Sequence, residues 1–257
     1  MPISERHNPG FEATEIAAPN RIAAARDRLI VALDAPNAEA ATELVKQLEG
    51  TCKWFKIGLE LFVAAGPSFV ESLVASGHSV FLDLKFYDIP NTVAGAVRSA
   101  AKLGARLLTV PAAGGPAMLE AARMALEGIA NPPQLLAVTV LTSMDDSQLT
   151  ASGVERTPAK QAELLARMGL KSGIRGFVCS PEEVAALRAL TGPEGVFAVP
   201  GIRPAGADHG DQKRLATPAD ALRNGATYLV VGRPITKAAN PPDAAEAILK
   251  EMAEALL

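Results

Sequence analysis

The sequence predicts a single (β/α)8 barrel of the α/β class with an N-terminal extension, and three observations predict it. Eight short apolar runs recur at fairly even intervals, at 29–33, 54–57, 80–84, 107–110, 135–141, 176–179, 196–199 and 228–231. Runs this short and this uniformly apolar suit parallel strands covered on both faces. Between them lie stretches whose apolar residues return every three or four positions, which is helical spacing. An open doubly wound sheet would carry a glycine fingerprint after its first strand, whereas Asp34-Ala35-Pro36-Asn37 has none.

Residues 1–27 mix Pro, Asn, Glu and Arg without strand periodicity, and only 21–26 has helix-forming composition, so this segment reads as a tail or one short helix. Residues 28–257 then form one barrel domain, with no Pro-, Ser- or Gly-rich linker dividing them. The helices are expected over 38–48, 92–103, 116–126, 158–168, 181–190 and 218–223, several opening on a proline that suits the first helical position. Gly50, Gly104, Gly169 and Gly192 are expected at or just past helix ends, where a left-handed cap favours glycine.

With 257 residues the chain has the length of one such barrel, nearly half of it apolar, with a formal net charge of -3. That charge leaves no basic footprint for nucleic acid or an anionic membrane. No stretch approaches the roughly 20 apolar residues of a membrane span, and the first 27 residues lack a signal-peptide core, so a cytoplasmic location is expected. Cys52 precedes one strand and Cys179 ends another, at opposite ends of a parallel barrel, so both are expected to be reduced.

The active face of such a barrel lies at the C-terminal ends of its strands. Asp34 ends the first strand, Lys56 lies in the second, and Asp83 and Lys85 close the third, with Asp88 in the turn beyond. In an extended strand Asp83 and Lys85 would share one face. Opposite charges on a buried face persist only if partnered or used, so this rim is either a strand-end salt bridge or a catalytic site. Repetition of Asp and Lys over three adjacent strands favours the second.

Strand five ends in Leu141-Thr142-Ser143, whose hydroxyls could bond a ligand or cap the next turn. Strand seven ends in Pro200-Gly201-Ile202-Arg203, and strand eight in Val231-Gly232-Arg233. Glycine turns opening helices after strands seven and eight are the usual phosphate seat of this fold, and two arginines add donor forks for phosphate oxygens. The three histidines, His7, His78 and His209, have neither HExxH nor CxxC company, so no metal site is expected.

These elements together resemble the orotidine-5′-phosphate decarboxylase family. The resemblance runs from about residue 29 to the C-terminus. It rests on Asp83-x-Lys85-x-x-Asp88-Ile89-Pro90, Leu141-Thr142-Ser143, Pro200-Gly201-Ile202-Arg203 with Asp211-Gln212, and Val230-Val231-Gly232-Arg233.

The resemblance implies a cofactor-free homodimer that converts orotidine 5′-monophosphate to uridine 5′-monophosphate and carbon dioxide, the last step of pyrimidine nucleotide synthesis. It implies a charged network of Lys56, Asp83, Lys85 and Asp88, with Lys85 as proton donor. Asp88 and Thr92 would complete the neighbouring subunit's site, and Ile89 would join the substrate contacts. Asp34 and Lys56 would hold the ribose, Thr142 the pyrimidine, and Arg203, Gln212, Gly232 and Arg233 the phosphate.

The chain departs from the family pattern at Pro111 and Tyr87, where histidines are common. The competing expectation is a magnesium-dependent relative that shares the DxKxxD element, a keto-gulonate-phosphate decarboxylase or hexulose-phosphate synthase. A non-catalytic barrel that binds a phosphate ligand is the remote alternative.

Overall fold

The computed structural model describes residues 18–204 and 214–256. In chain order the elements are α1 (Ala18–Arg26), β1 (Leu29–Leu33), α2 (Ala38–Gln47), β2 (Trp54–Ile57), α3 (Leu59–Ala65), α4 (Pro67–Ala75), β3 (Ser79–Leu82) and α5 (Pro90–Lys102). There follow β4 (Leu107–Pro111), a 3-10 turn (Ala112–Gly114), α6 (Gly115–Met124), β5 (Gln134–Val138), α7 (Asp146–Ala151) and α8 (Pro158–Lys171). The last part holds β6 (Gly176–Val178), α9 (Val184–Thr191), β7 (Val196–Val199), α10 (Pro218–Arg223), β8 (Tyr228–Val231), α11 (Arg233–Thr236) and α12 (Pro241–Ala255).

The eight strands pair in sequence order, all parallel, and β8 returns to β1, closing the barrel. Closure removes both sheet edges, so every strand is covered inside by other strands' side chains and outside by helices. This is why the runs are apolar throughout rather than alternating. Ile30, Ala32, Trp54, Phe81, Leu107, Leu136, Ala198 and Val230 fill the interior, while a larger cluster including Val31, Leu33, Phe55 and Ile57 packs strands against helices.

All eight strands stand where the apolar runs put them, but several boundaries move. The third strand stops at Leu82 rather than residue 84, and the fifth stops at Val138 rather than 141. The extended-strand premise for Asp83 and Lys85 therefore fails: both lie beyond β3, and Lys85 takes a left-handed backbone with φ of 50°. The helix expected from residue 181 starts at Val184, because Glu183 folds back to accept the Ser180 N–H at 2.9 Å.

Gly169 lies inside α8 rather than at its end, and the reason is packing. A Cβ there would come within 2.8 Å of the Phe177 ring on β6, so the missing side chain lets helix and strand approach closely. Helices α3, α4, α7 and α12 lie outside the helical stretches named from the sequence.

Both cysteines are free and buried. Burial pushes the Cys52 thiol up to about 12, slightly offset by the charge of Arg26. Among the described residues, no helix is long and apolar enough to cross a membrane.

Candidate active site

The C-terminal ends of β1, β2 and β3 bring four of the expected charged residues into one chain of ion pairs. The ammonium of Lys85 donates to Asp83 Oδ1 at 2.8 Å, and Lys56 Nζ lies 3.8 Å from Asp83 Oδ2. Lys56 also donates to Asp34 Oδ1 at 3.3 Å. Asp83 is thus gripped on both oxygens by lysines from two sources. Its backbone N–H donates to Ile57 O on β2, which continues the β2–β3 pairing one residue past β3.

Exposure grades outward along this chain. The side chains of Lys56 and Asp83 are 13% and 15% exposed, Lys85 is 34% exposed and Asp34 58%. The inner pair is thus largely shielded from water, where Coulomb attraction is strongest, while the Lys85 tip keeps an open side. Gly58 makes room for this arrangement: a Cβ at that position would stand 3.1 Å from Lys56 Nζ.

Two hollows meet at Asp34 and Lys56. The smaller, about 140 Å³, has Asp83 and Lys85 in its wall. The larger, about 340 Å³, runs past Gly201 and Arg203 after β7 to Gly232 and Arg233 after β8. A charged end and an arginine end therefore share one continuous floor. Lys237, at the C-terminal end of α11, also lines the larger hollow. It adds a third cation that the sequence pattern did not single out, because it follows the motif rather than belonging to it.

Other expected residues stand apart within the chain. Asp88 makes no ion pair with a described residue, and its Oδ1 accepts the Ile89 N–H at 2.6 Å. Asp88, Ile89 and Thr92 are exposed and line neither hollow. Thr142 is buried beyond β5 and lines neither hollow either. Gln212 and His209 lie outside the described residues, within 205–213.

A residue missed in the sequence is Thr109 on β4, fully buried among apolar neighbours. Its Oγ1 accepts the Lys85 backbone N–H at 2.9 Å and donates to Asp83 Oδ1 at 3.0 Å. Its only sequence signal is a hydroxyl inside an otherwise apolar strand, which is also what a structural threonine leaves.

Arg214 is a second such residue. It pairs with buried Glu183 and donates to Ser180 Oγ at 3.0 Å and to the Leu141 carbonyl at 2.9 Å, next to Thr142. Burial pushes the Glu183 carboxyl above its ordinary range, and the Arg214 charge and the Ser180 hydrogen bonds offset only part of this.

Comparison with known proteins agrees with this geometry. Residues 27–248 match the profile of the Orotidine 5'-phosphate decarboxylase / HUMPS family. The orotidine 5'-phosphate decarboxylase of Moorella thermoacetica is 50% identical over 234 residues, covering 89% of this chain and 93% of the relative. That of Saccharophagus degradans is 50% identical over 230 residues, covering 90% and 97%. The crystal structure of orotidine 5'-phosphate decarboxylase from Lactobacillus acidophilus superposes with a TM-score of 0.77 at 40% identity, covering 88% of this chain and 99% of that one. Barrel, charged rim and sequence similarity over nearly the whole described chain lead to one conclusion: this chain belongs to the orotidine 5'-phosphate decarboxylase / HUMPS family.

Proposed function

We propose that the chain decarboxylates orotidine 5′-monophosphate to uridine 5′-monophosphate and carbon dioxide. The observation that carries the reading is the Lys56–Asp83–Lys85 ion-pair chain in the wall of one hollow that meets, at Asp34 and Lys56, a second hollow holding Arg203 and Arg233. Orotidine monophosphate has a matching polarity, with a carboxylate on the reacting carbon at one end and a phosphate at the other.

Breaking the C6–carboxylate bond leaves its electron pair on a ring carbon with little resonance help. Catalysis therefore needs a fixed positive charge and a proton beside that carbon. Lys85 supplies both: its ammonium stabilises the developing charge and then gives C6 a proton, which solvent later returns to the amine. Asp83 holds that ammonium in place. Asp34 and Lys56 take the ribose hydroxyls, Thr142 takes the pyrimidine, and Arg203, Gln212 and the Gly232-Arg233 turn take the phosphate, with no cofactor. One charge pair at about 4 Å is worth about 4 kcal/mol at an effective dielectric of 20. Enzymes lower barriers by about 8–23 kcal/mol, so binding energy from the phosphate end must contribute to the chemical step.

The working unit in this reading is a homodimer whose catalytic domain spans residues 28–257, in the cytoplasm. Leu59 and Val63 on α3, which follows β2, and Tyr87 and Ile89 in the turn after β3 are all more than half exposed, and the latter two flank Asp88 in the chain. Apolar side chains on that rim favour a covering partner, and the separation of Asp88 from its own chain's lysines suits a carboxylate that serves the neighbouring site.

The test is the loss of orotidine-monophosphate absorbance with purified protein in EDTA and again with added magnesium. Equal turnover in both, with uridine monophosphate as product, is expected. No turnover in either, together with magnesium-dependent turnover of a sugar phosphate such as keto-gulonate phosphate, would overturn the reading in favour of the metal-dependent branch.

A further inference from the structure

Lys85 is one of two non-glycine residues with positive φ among the described residues, and the other, Asn131, lies in a surface turn. A left-handed backbone costs an L-residue about 1–2 kcal/mol, so it persists only where its surroundings impose it. The surroundings here are residue 109. The last register pair between β3 and β4 is Leu82–Leu108, and beyond it Thr109 takes over the bonding. Its hydroxyl accepts the N–H of Lys85 at 2.9 Å, and its carbonyl accepts the N–H of Phe86 at 3.2 Å.

The polarity of the hydroxyl is forced. A backbone N–H can only donate, and a carboxylate paired with an ammonium accepts. The single hydroxyl hydrogen therefore goes to Asp83 Oδ1, 3.0 Å away, and a lone pair takes the Lys85 N–H. Asp83 Oδ1 is also the oxygen that receives the Lys85 ammonium. One buried oxygen atom thus fixes both the backbone of Lys85 and the carboxylate that aims its side chain. A serine or threonine hydroxyl can do this through one atom at strand distance; valine, of the same shape, can do neither half.

We propose that Thr109 is a positioning residue for the decarboxylation: it imposes the left-handed turn at Lys85 and orients Asp83, so that the ammonium faces the reacting carbon. The kinetic consequence rests on the decarboxylase reading; the structural consequence does not. Thr109 is fully buried and lines neither hollow, so its loss should fall on the chemical step and not on binding.

The experiment compares the parent with Thr109→Val and Thr109→Ser, with Thr109→Ala as a second hydroxyl-free variant in case valine packs poorly. Turnover is measured with orotidine monophosphate, and crystal structures are solved for each variant. For the hydroxyl-free variants we expect kcat about ten- to hundredfold lower with KM within about threefold, while serine stays within about threefold of the parent. Their crystal structures should show Lys85 out of the left-handed region or its Nζ displaced from Asp83 by ~1 Å or more, with serine retaining both. Parent-like kcat without the hydroxyl, equal losses for serine and valine, or a loss carried by KM would overturn the proposal. An unmoved Lys85–Asp83 pair in the hydroxyl-free crystals would do the same. A parent that does not turn over orotidine monophosphate would instead remove the decarboxylase reading, and the crystals alone would then decide the role of Thr109.

Discussion

Arg214 and Glu183 form an ion pair whose side chains are only 9% and 3% exposed, and the same guanidinium bonds the Leu141 carbonyl on the neighbouring strand's loop. The pair fastens the end of the β6–α9 turn to the segment beyond β5. Removing one member of a buried pair leaves the other charge uncompensated.

Arg214→Ala should therefore destabilise the protein by about 3–5 kcal/mol. For a chain of this size that corresponds to a melting temperature about 6 to 20 °C lower. The double variant Arg214→Met with Glu183→Leu should recover part of the loss, because no charge is left unpaired. Differential scanning calorimetry on the three proteins checks this, and a double variant weaker than Arg214→Ala would contradict the desolvation argument.

The Glu183 carboxyl also sets a pH dependence. Its folded-state value is raised by burial above the ordinary 4.5, so between 4.5 and that raised value the native state holds a proton that the unfolded state has released. With more protons bound in the native state, unfolding free energy falls as pH rises through this window. Glu183→Gln lacks that contribution. Urea unfolding at pH 5 and pH 7.5 should show the gap between parent and Glu183→Gln narrowing at the higher pH; a widening gap would mean that pairing with Arg214 outweighs burial.

Lys85→Ala should lower kcat by at least about 10²–10⁴-fold, the usual worth of a positioned proton donor. Arg233→Ala acts from the far end of the hollow and should reduce kcat/KM about ten- to hundredfold, as expected for charge-assisted bonds to phosphate. Steady-state kinetics with orotidine monophosphate distinguishes the two, and an Arg233→Ala enzyme with unchanged kcat/KM would remove that arginine from the substrate site.

If Asp88 completes the partner's site, then Lys85→Ala and Asp88→Ala proteins, each nearly inactive alone, should regain activity when mixed and allowed to exchange subunits. Random pairing gives half heterodimers with one native site each, so about a quarter of parental activity is expected. No recovery under conditions where labelled subunits exchange would place Asp88 in its own chain's site.

The two thiols should be inert in the native protein. Cys52, held near 12, and Cys179, pushed well above its ordinary value by complete burial, carry almost no thiolate at neutral pH. Ellman's reagent should react slowly with native protein and rapidly with two thiols after denaturation. Fast native labelling would show that one of them is reachable.

The barrel was legible in the sequence because its signals are local. Eight apolar runs at strand length and helical spacing between them are properties of neighbouring residues, and each run became a strand of one closed sheet. The charged rim was legible for the same reason: Asp34, Lys56, Asp83 and Lys85 sit at run ends, which the fold turns toward one face. What the sequence left open depends on contacts between distant positions. Lys85 is left-handed rather than extended because Thr109, 24 residues away, takes its N–H. Glu183 delays the start of α9 and meets Arg214, 31 residues on, with both side chains largely buried. Asp88 stands away from the lysines three and more residues behind it because the chain turns at Lys85 before reaching it. Periodicity records which face a residue occupies; which partner it meets there is fixed only when the barrel closes and brings separate strands within hydrogen-bond reach.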